Sequence, residues 1–232
     1  MQSIYFVDSN FTYESSKKSI LSIRYATDGF SFCVHDETGK LVVFVHEPYA
    51  ADSREAAVAR LKNYVVNDAI LNLRFKKVYI MPCFKEKLLV PGAFFDKANI
   101  TTLYTVNQEV SPDDTILYHH IEGIEAYLVE TVISSFHDFV REHFPVFQIV
   151  NGAYPFILGA MGKALRDTEQ IFLDIQDNYF DLLFIRDSGI QLFNTFSYKA
   201  TTDIVYFLLN CIKECGINQE KAHLSICGPA LK

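Results

Sequence analysis

The chain has 232 residues, half of them hydrophobic and including 20 Phe and 13 Tyr, which is enough apolar surface for one large core or two smaller ones. A formal net charge of −7 and scattered basic residues argue against a nucleic-acid partner, because tracking a phosphate backbone needs a basic face that releases counterions. Five cysteines, an odd number placed inside strands and helices, fit reduced thiols better than a disulfide framework. No basic-then-apolar leader and no apolar run of membrane-spanning length is found, so a cytoplasmic protein without direct membrane insertion is expected.

In chain order, period-two alternation predicts strands at Ile20 to Tyr25, Phe30 to His35 and Leu41 to His46, followed by a helix Ser53 to Asn72 and a strand Lys77 to Met81. Pro82 then breaks the pattern. A short strand Lys87 to Val90, the Pro91-Gly92 breaker, a helical segment Phe94 to Val106 and a strand Thr115 to Ile121 read as a small insertion. A strand Glu125 to Thr131, a helix Ser134 to His143, a strand Val146 to Val150 and a helix Tyr154 to Leu165 follow. The chain closes with strands Gln170 to Ile175, Tyr179 to Arg186 and Ile190 to Ser197, a helix Thr202 to Cys215 and a strand His223 to Ile226.

The first and last of these blocks repeat one order, three strands, a helix and a strand. At a constant offset of 150 (Gly189 minus Gly39), Phe30 falls on Phe180 and Ala50 on Ala200, and Gly is expected to supply the positive φ of both turns at Glu37-Thr38 and Asp187-Ser188. Phe30, Phe32 and Val34 share a face, as do Phe180, Leu182 and Phe184.

Two βββαβ lobes of mixed sheet flanked by helices, each opening on a hairpin and the first carrying a small insert, resemble the actin-like ATPase (RNase H-like) fold, an α/β class. Among its members the chain is similar to the cytoplasmic actin-like proteins of type IV pilus assembly and type II secretion. More narrowly, it resembles a bacterial family known only as domain of unknown function 3822. The resemblance implies a first lobe over residues 1–131, with the insert at about 84–123, and a second over 132–232, incomplete at its C-terminus because the helix and strand that would complete it are either absent or beyond the sequence given.

It also implies a nucleotide cleft between the lobes, with the first hairpin of each offering backbone N–H groups to phosphates and an Asp near each turn handling Mg²⁺. In the second hairpin, Asp174 stands where that carboxylate belongs, followed by Gln176, Asp177 and Asn178. Gln176 replaces a glycine and puts a side chain where backbone should approach a phosphate. In the first hairpin Arg24 takes the place of the Asp, and Thr27 and Asp28 sit in its turn; a cation there cannot hold Mg²⁺. The adenosine loop keeps one glycine, Gly228, with Pro229 after it. Arg24 and Asp174, related by the repeat, are therefore a candidate cleft pair standing in place of metal and phosphate.

Other candidates fall away on spacing. Cys211 and Cys215 share a helical face, but Leu61 and Val65 occupy the corresponding places in the first block, so packing is expected. His119 and His120 leave opposite faces of a strand, and His137 and His143 do not share a helical face. The acids Asp28, Asp174, Asp177 and Asp181 resemble the carboxylates of RNase H-like nucleases, against which Arg24 again argues. Tyr154, Phe156, Tyr198, Tyr206 and Phe207 are expected in the core, or at an interface if several are exposed together.

The expectation is a degenerate nucleotide-site scaffold, a pseudo-ATPase acting through protein partners or self-association, with no catalytic or metal-ligating residue assigned. The alternative is an ATP-binding switch with Mg-ATP in the cleft, an ATPase by fold alone.

Overall fold

The computed structural model describes residues 2–228. Its elements are β1 (Ile4–Val7), α1 (Tyr13–Ser16), β2 (Ile20–Ala26), β3 (Gly29–His35), β4 (Leu41–Pro48), α2 (Arg54–Asn67), β5 (Lys77–Pro82) and β6 (Lys87–Pro91). After two short 3₁₀ turns come α3 (Ile100–Thr105), β7 (Asp114–His120), β8 (Ala126–Ile133), α4 (Ser134–His143), β9 (Phe147–Ile149) and α5 (Ala153–Met161). The C-terminal block is β10 (Glu169–Ile175), β11 (Tyr179–Arg186), β12 (Gly189–Ser197), α6 (Thr201–Glu214) and β13 (His223–Cys227). Sheets run in the orders β1-β4-β3-β2-β5-β9, β12-β11-β10-β13 and β6-β8-β7.

Two compact units result. The first comprises residues 1–84, 98–119 and 129–152, and the second residues 85–97, 120–128 and 153–232. The first unit's core joins Leu21, Ile23, Phe30, Phe32 and Val34 to Val58, Leu61 and Val65 of α2 and to Phe136 and Val140 of α4. The second unit has two apolar layers, one on each face of its sheet. Ile171, Leu173, Phe180, Leu182 and Phe184 meet α6 on one face, and Phe172, Leu183 and Ile185 meet Ala153, Ile157 and Ala160 of α5 on the other.

The duplication is visible in the hydrogen-bond register. Hairpins β2–β3 and β10–β11 pair Tyr25 with Phe30 and Ile175 with Phe180, and a bulge follows Val34 in one copy and Phe184 in the other. Beyond the bulge the offset of 150 slips. Phe30 faces Glu47 whereas Phe180 faces Phe196, so the second copy has one residue fewer in its β11–β12 connection. The true structural mates are therefore Tyr49 and Tyr198. Each donates its N–H to a turn carbonyl, of Asp28 at 3.2 Å and of Asn178 at 3.1 Å, and each lies against its Phe, 6.1 and 6.3 Å between ring centroids. The two turns also differ from expectation. Gly39 does supply a positive φ of 83°, but Gly189 is a strand residue, and Asp187 and Ser188 take the left-handed region themselves (φ 52° and 65°) as a two-residue turn.

Several element bounds differ for local reasons. Helix α2 stops at Asn67, because the Asp68 carboxylate accepts from the N–H groups of Ile70 and Leu71 while the Asn72 amide donates to the carbonyls of Val65, Val66 and Asp68. The helical segment expected from Phe94 shrinks to Ile100–Thr105, a stretch rich in β-branched residues. Helix α5 ends at Met161, ahead of Gly162. Strand β1, unforeseen from the sequence, adds to the edge of the first sheet by pairing with β4. Strand β9 pairs in parallel with β5, so the residues from 132 to 152 that the sequence assigns to the second lobe are counted with the first unit.

Candidate functional site

In the second unit, register brings four polar side chains into one row across the sheet. Asp181 on β11 lies opposite Thr195 on β12 and Asp174 on β10, and Asp174 lies beside Cys227 on β13. Directly facing carboxylates repel, and a sheet carries them only with a compensating charge. That charge is Lys87 on β6. Its side chain is fully buried, its Nζ is 2.8 Å from Asp181 Oδ1, and it lies 4.6 Å from the centroid of the Tyr179 ring. Thr195 Oγ1 donates to the same Asp181 oxygen at 2.6 Å. Cys227 Sγ is 3.9 Å from Asp174 Oδ1, and burial together with that carboxylate pushes its thiol up to about 11, so it stays protonated at neutral pH.

The expected second phosphate turn is at the end of this row. Gln176 is buried, its N–H donates to Tyr179 O at 2.9 Å, and its carbonyl accepts the Tyr198 hydroxyl at 2.5 Å. Asp177 and Asn178 are exposed. Gly228 has φ +121°, and a Cβ there would collide with the Ile175 backbone, its nitrogen only 2.6 Å away. Asp174, Gln176, Asp177, Asn178 and Gly228 thus form one locality; Pro229 lies outside the described residues.

In the first unit, Arg24 lies opposite Ser31, with its guanidinium 3.4 Å from Asp28 Oδ1. The turn's carbonyls are engaged, Thr27 O accepting from Ala51 N at 2.8 Å and Asp28 O from Tyr49 N. Burial and the Asp28 charge raise the Tyr49 phenol to about 12. Arg24, Thr27 and Asp28 form a second locality.

Sequence reasoning missed Lys87, because a lysine that follows Lys85-Glu86 at the start of an insert strand carries no motif and reads as part of a solvated charged run. It also missed a buried polar group in the first unit. Arg54 donates to Asp114 at 2.6 Å and to Thr131 at 3.0 Å, and Asn151 donates to Glu130 at 3.2 Å. Burial, then Glu130, holds the Tyr25 phenol well above its ordinary range. His119 stands 3.9 Å from Glu130, while His120 turns to the Tyr127 ring, so the two histidines diverge. Cys211 and Cys215 pack in the second unit's core, where burial raises the Cys211 thiol. His143 bonds Asn72 and His137 faces Phe147. Among the aromatic candidates Tyr206 is exposed, and Tyr154, Phe156, Tyr198 and Phe207 pack against core clusters. Among the described residues no group of three or more His, Cys, Asp or Glu is arranged to hold a metal ion, and no helix is long and apolar enough to cross a membrane.

The fold matches that of a Bacteroides thetaiotaomicron protein with an actin-like ATPase fold and unknown function, with a TM-score of 0.88 and 24% identity over 96% of this chain and 86% of that one. A PilM-PilN type IV pilus biogenesis complex matches at a TM-score of 0.49 and 12% identity, covering 86% of this chain and 66% of that one. A Cytophaga hutchinsonii exopolyphosphatase matches at 0.45 and 13%, covering 90% and 66%. No curated protein matches the chain. With this mixed α/β architecture, and with a family model matching residues 8–231, the chain belongs to the family described as Protein of unknown function (DUF3822) and has the actin-like ATPase fold.

Proposed function

We propose that the protein is a degenerate nucleotide-site scaffold that acts through protein association, with a lysine of its own chain in the role a metal would take. One observation carries this reading: the fully buried Lys87 ammonium is 2.8 Å from Asp181, the residue that lies directly opposite Asp174, the carboxylate the fold would use for Mg²⁺. A divalent cation does not fit next to that ammonium, since like charges at contact distance in a desolvated site repel strongly. Arg24 in place of the first hairpin's acid agrees with the same reading, and charge there belongs to the proposal. A double-mutant cycle on Arg24 and Asp174 reads out whether the two act on each other.

A second reading, an ATP-binding switch, is favoured by Gly228, whose missing side chain lets its backbone lie against Ile175, two residues before the exposed Asp177-Asn178 turn. Thermal melting with ATP, with and without Mg²⁺, separates the two. A ligand at a hundred times its Kd adds about 2.7 kcal/mol of stability. The scaffold reading expects no shift at millimolar nucleotide, and a clear Mg-dependent shift abolished by Asp174→Ala would refute it.

A further inference from the structure

We propose that a groove between β6 and β12 binds an extended segment of a partner protein, one with apolar side chains at alternate positions and a Lys or Arg beside them; this rests on the association reading above. The groove has a volume of about 510 Å³ and is lined by Leu89 and Pro91 of β6, by residues 124–126 at the entry to β8 and by residues 189–193 of β12. All of these belong to the second unit, and each lining segment has described residues before and after it in the chain.

The two strands leave backbone as well as side chains to a ligand. Strand β6 ends the sheet β6-β8-β7 and β12 ends the sheet β12-β11-β10-β13, so each has a row of N–H and C=O groups that no strand among the described residues takes up. The pairing of β11 with β12 slips where Phe184 faces Leu192 and Ile185 faces Ile190, which makes Gln191 the extra residue of a bulge. A bulged strand bends at that residue, and the groove runs along the bend. Ile190, Leu192 and Phe193 are partly exposed there, as is Leu89 on the β6 side. Apolar side chains beside an unbonded backbone row suit an added strand, whose main-chain hydrogen bonds give affinity and whose alternate side chains give selectivity.

Charge chooses among such strands. Among the described residues lining the groove Glu125 alone is charged; it is exposed, and its carboxylate makes no hydrogen bond or ion pair with any described residue. Residues 120–128 and 187–197 contain no Lys or Arg, yet they carry Glu122, Glu125 and Asp187. On β6, Lys87 is engaged by Asp181, and Lys85 precedes the strand at the end away from Pro91. A basic segment is therefore attracted where an acidic one is repelled. A second copy of this chain fits less well, since its exposed edge strand β1 (Ile4–Val7) carries no cation. The contact is of the weak, transient size class, below about 1,200 Å².

The probe is a set of fluorescein-labelled synthetic heptapeptides with Val, Leu or Phe at three alternate positions and Lys, Gln or Glu at the two between them. Fluorescence anisotropy with the whole chain is expected to show the best Lys members binding with Kd at or below ~1 mM, ~5-fold or more tighter than their Glu counterparts, which is the scale of one exposed charge pair. Glu125→Lys, at an exposed position, is expected to reverse that order. Methylating the backbone nitrogens of the best peptide is expected to weaken it ~10-fold or more, because the main-chain hydrogen bonds are lost. Amide chemical shifts of isotope-labelled protein are expected to move at residues 124–126 and 189–193. Absence of binding by every member at ~1 mM overturns the proposal, as does an equal response to Lys and Glu members or an order unmoved by Glu125→Lys. Undiminished binding of the methylated peptide, or shifts centred on β1 instead, overturns it too. None of these results bears on the response to Mg-ATP, by which the scaffold reading is judged separately.

Discussion

Removing the Lys87 ammonium is the most direct challenge to the site as described. Lys87→Met keeps the stem's length and apolar character while deleting the charge. The Lys87 side chain is fully buried and that of Asp181 is 3% exposed, so the substitution strands a carboxylate in a desolvated place, opposite a second carboxylate on Asp174. Breaking a buried pair from one side costs about 3–5 kcal/mol, whereas removing both charges is close to neutral. The Thr195 hydroxyl still donates to Asp181 and offsets part of the loss, which places the expectation near ~3 kcal/mol for Lys87→Met. Asp181→Asn keeps an acceptor for Thr195, and the double variant should recover roughly 2 kcal/mol relative to the sum of the singles. Urea denaturation followed by far-UV circular dichroism measures all four corners of the cycle. A loss under about 1 kcal/mol for Lys87→Met, with no coupling to Asp181, would show that the ammonium does not hold the carboxylates, and the argument for a resident cation would fail with it.

Two further outcomes are open to simple measurement. Ser188 sits at φ 65° in the two-residue β11–β12 turn, a conformation that costs an L-residue about 1–2 kcal/mol, so Ser188→Gly should raise the melting temperature by a stability gain of ~1 kcal/mol; an unchanged or lower value refutes the turn assignment. Glu169 accepts from Asn218 N at 2.7 Å and pairs with Arg186 at 2.6 Å, contacts that hold its carboxyl below the usual range. A depressed folded pKa stabilises above the unfolded value, about 4.3 for Glu, and that contribution is lost as pH falls through the lower folded value. Glu169→Gln should therefore be less stable than the parent at pH 7 and converge on it below about pH 4, and parallel acid limbs would contradict this.

The duplicated fold was legible because period-two apolar faces survive in both copies. The hairpin β10–β11 and the partnership of Phe30 with Phe180 emerge from spacing alone. What spacing could not show is the single residue lost beyond the second bulge. An ungapped offset matched Ala50 with Ala200 and passed over Tyr49 and Tyr198, whose shared role is a backbone hydrogen bond that any residue but proline could make. The candidate site was half legible. Asp174, Gln176 and Gly228 were named through the resemblance to actin-like phosphate and adenosine loops, and Asp181 was noted as an acid without its partner. Lys87 comes from 94 positions upstream of Asp181 (181 minus 87), and nothing local in an insert strand announces a contact at that separation.

The identity of the cation decides what the insert is for. Two carboxylates facing each other on β10 and β11 need a positive charge, and it can come from solvent as a divalent ion or from the chain as an ammonium. An ammonium tethered to β6 and already in place competes at an effective concentration of millimolar or higher, without the entropy cost of capturing an ion. Its side chain is fully enclosed, so exposing the ammonium to water requires the structure around β6 to open. Strand β6 is thus fastened to the C-terminal sheet by charge at Lys87 and by apolar contact at Leu89, which packs with the layer of Phe172 and Leu183. The same residues that satisfy the acids anchor the insert. An insert whose strand neutralises the acidic pair makes the site a structural joint, and this is why loss of one ammonium should be read first in stability and only then in ligand binding.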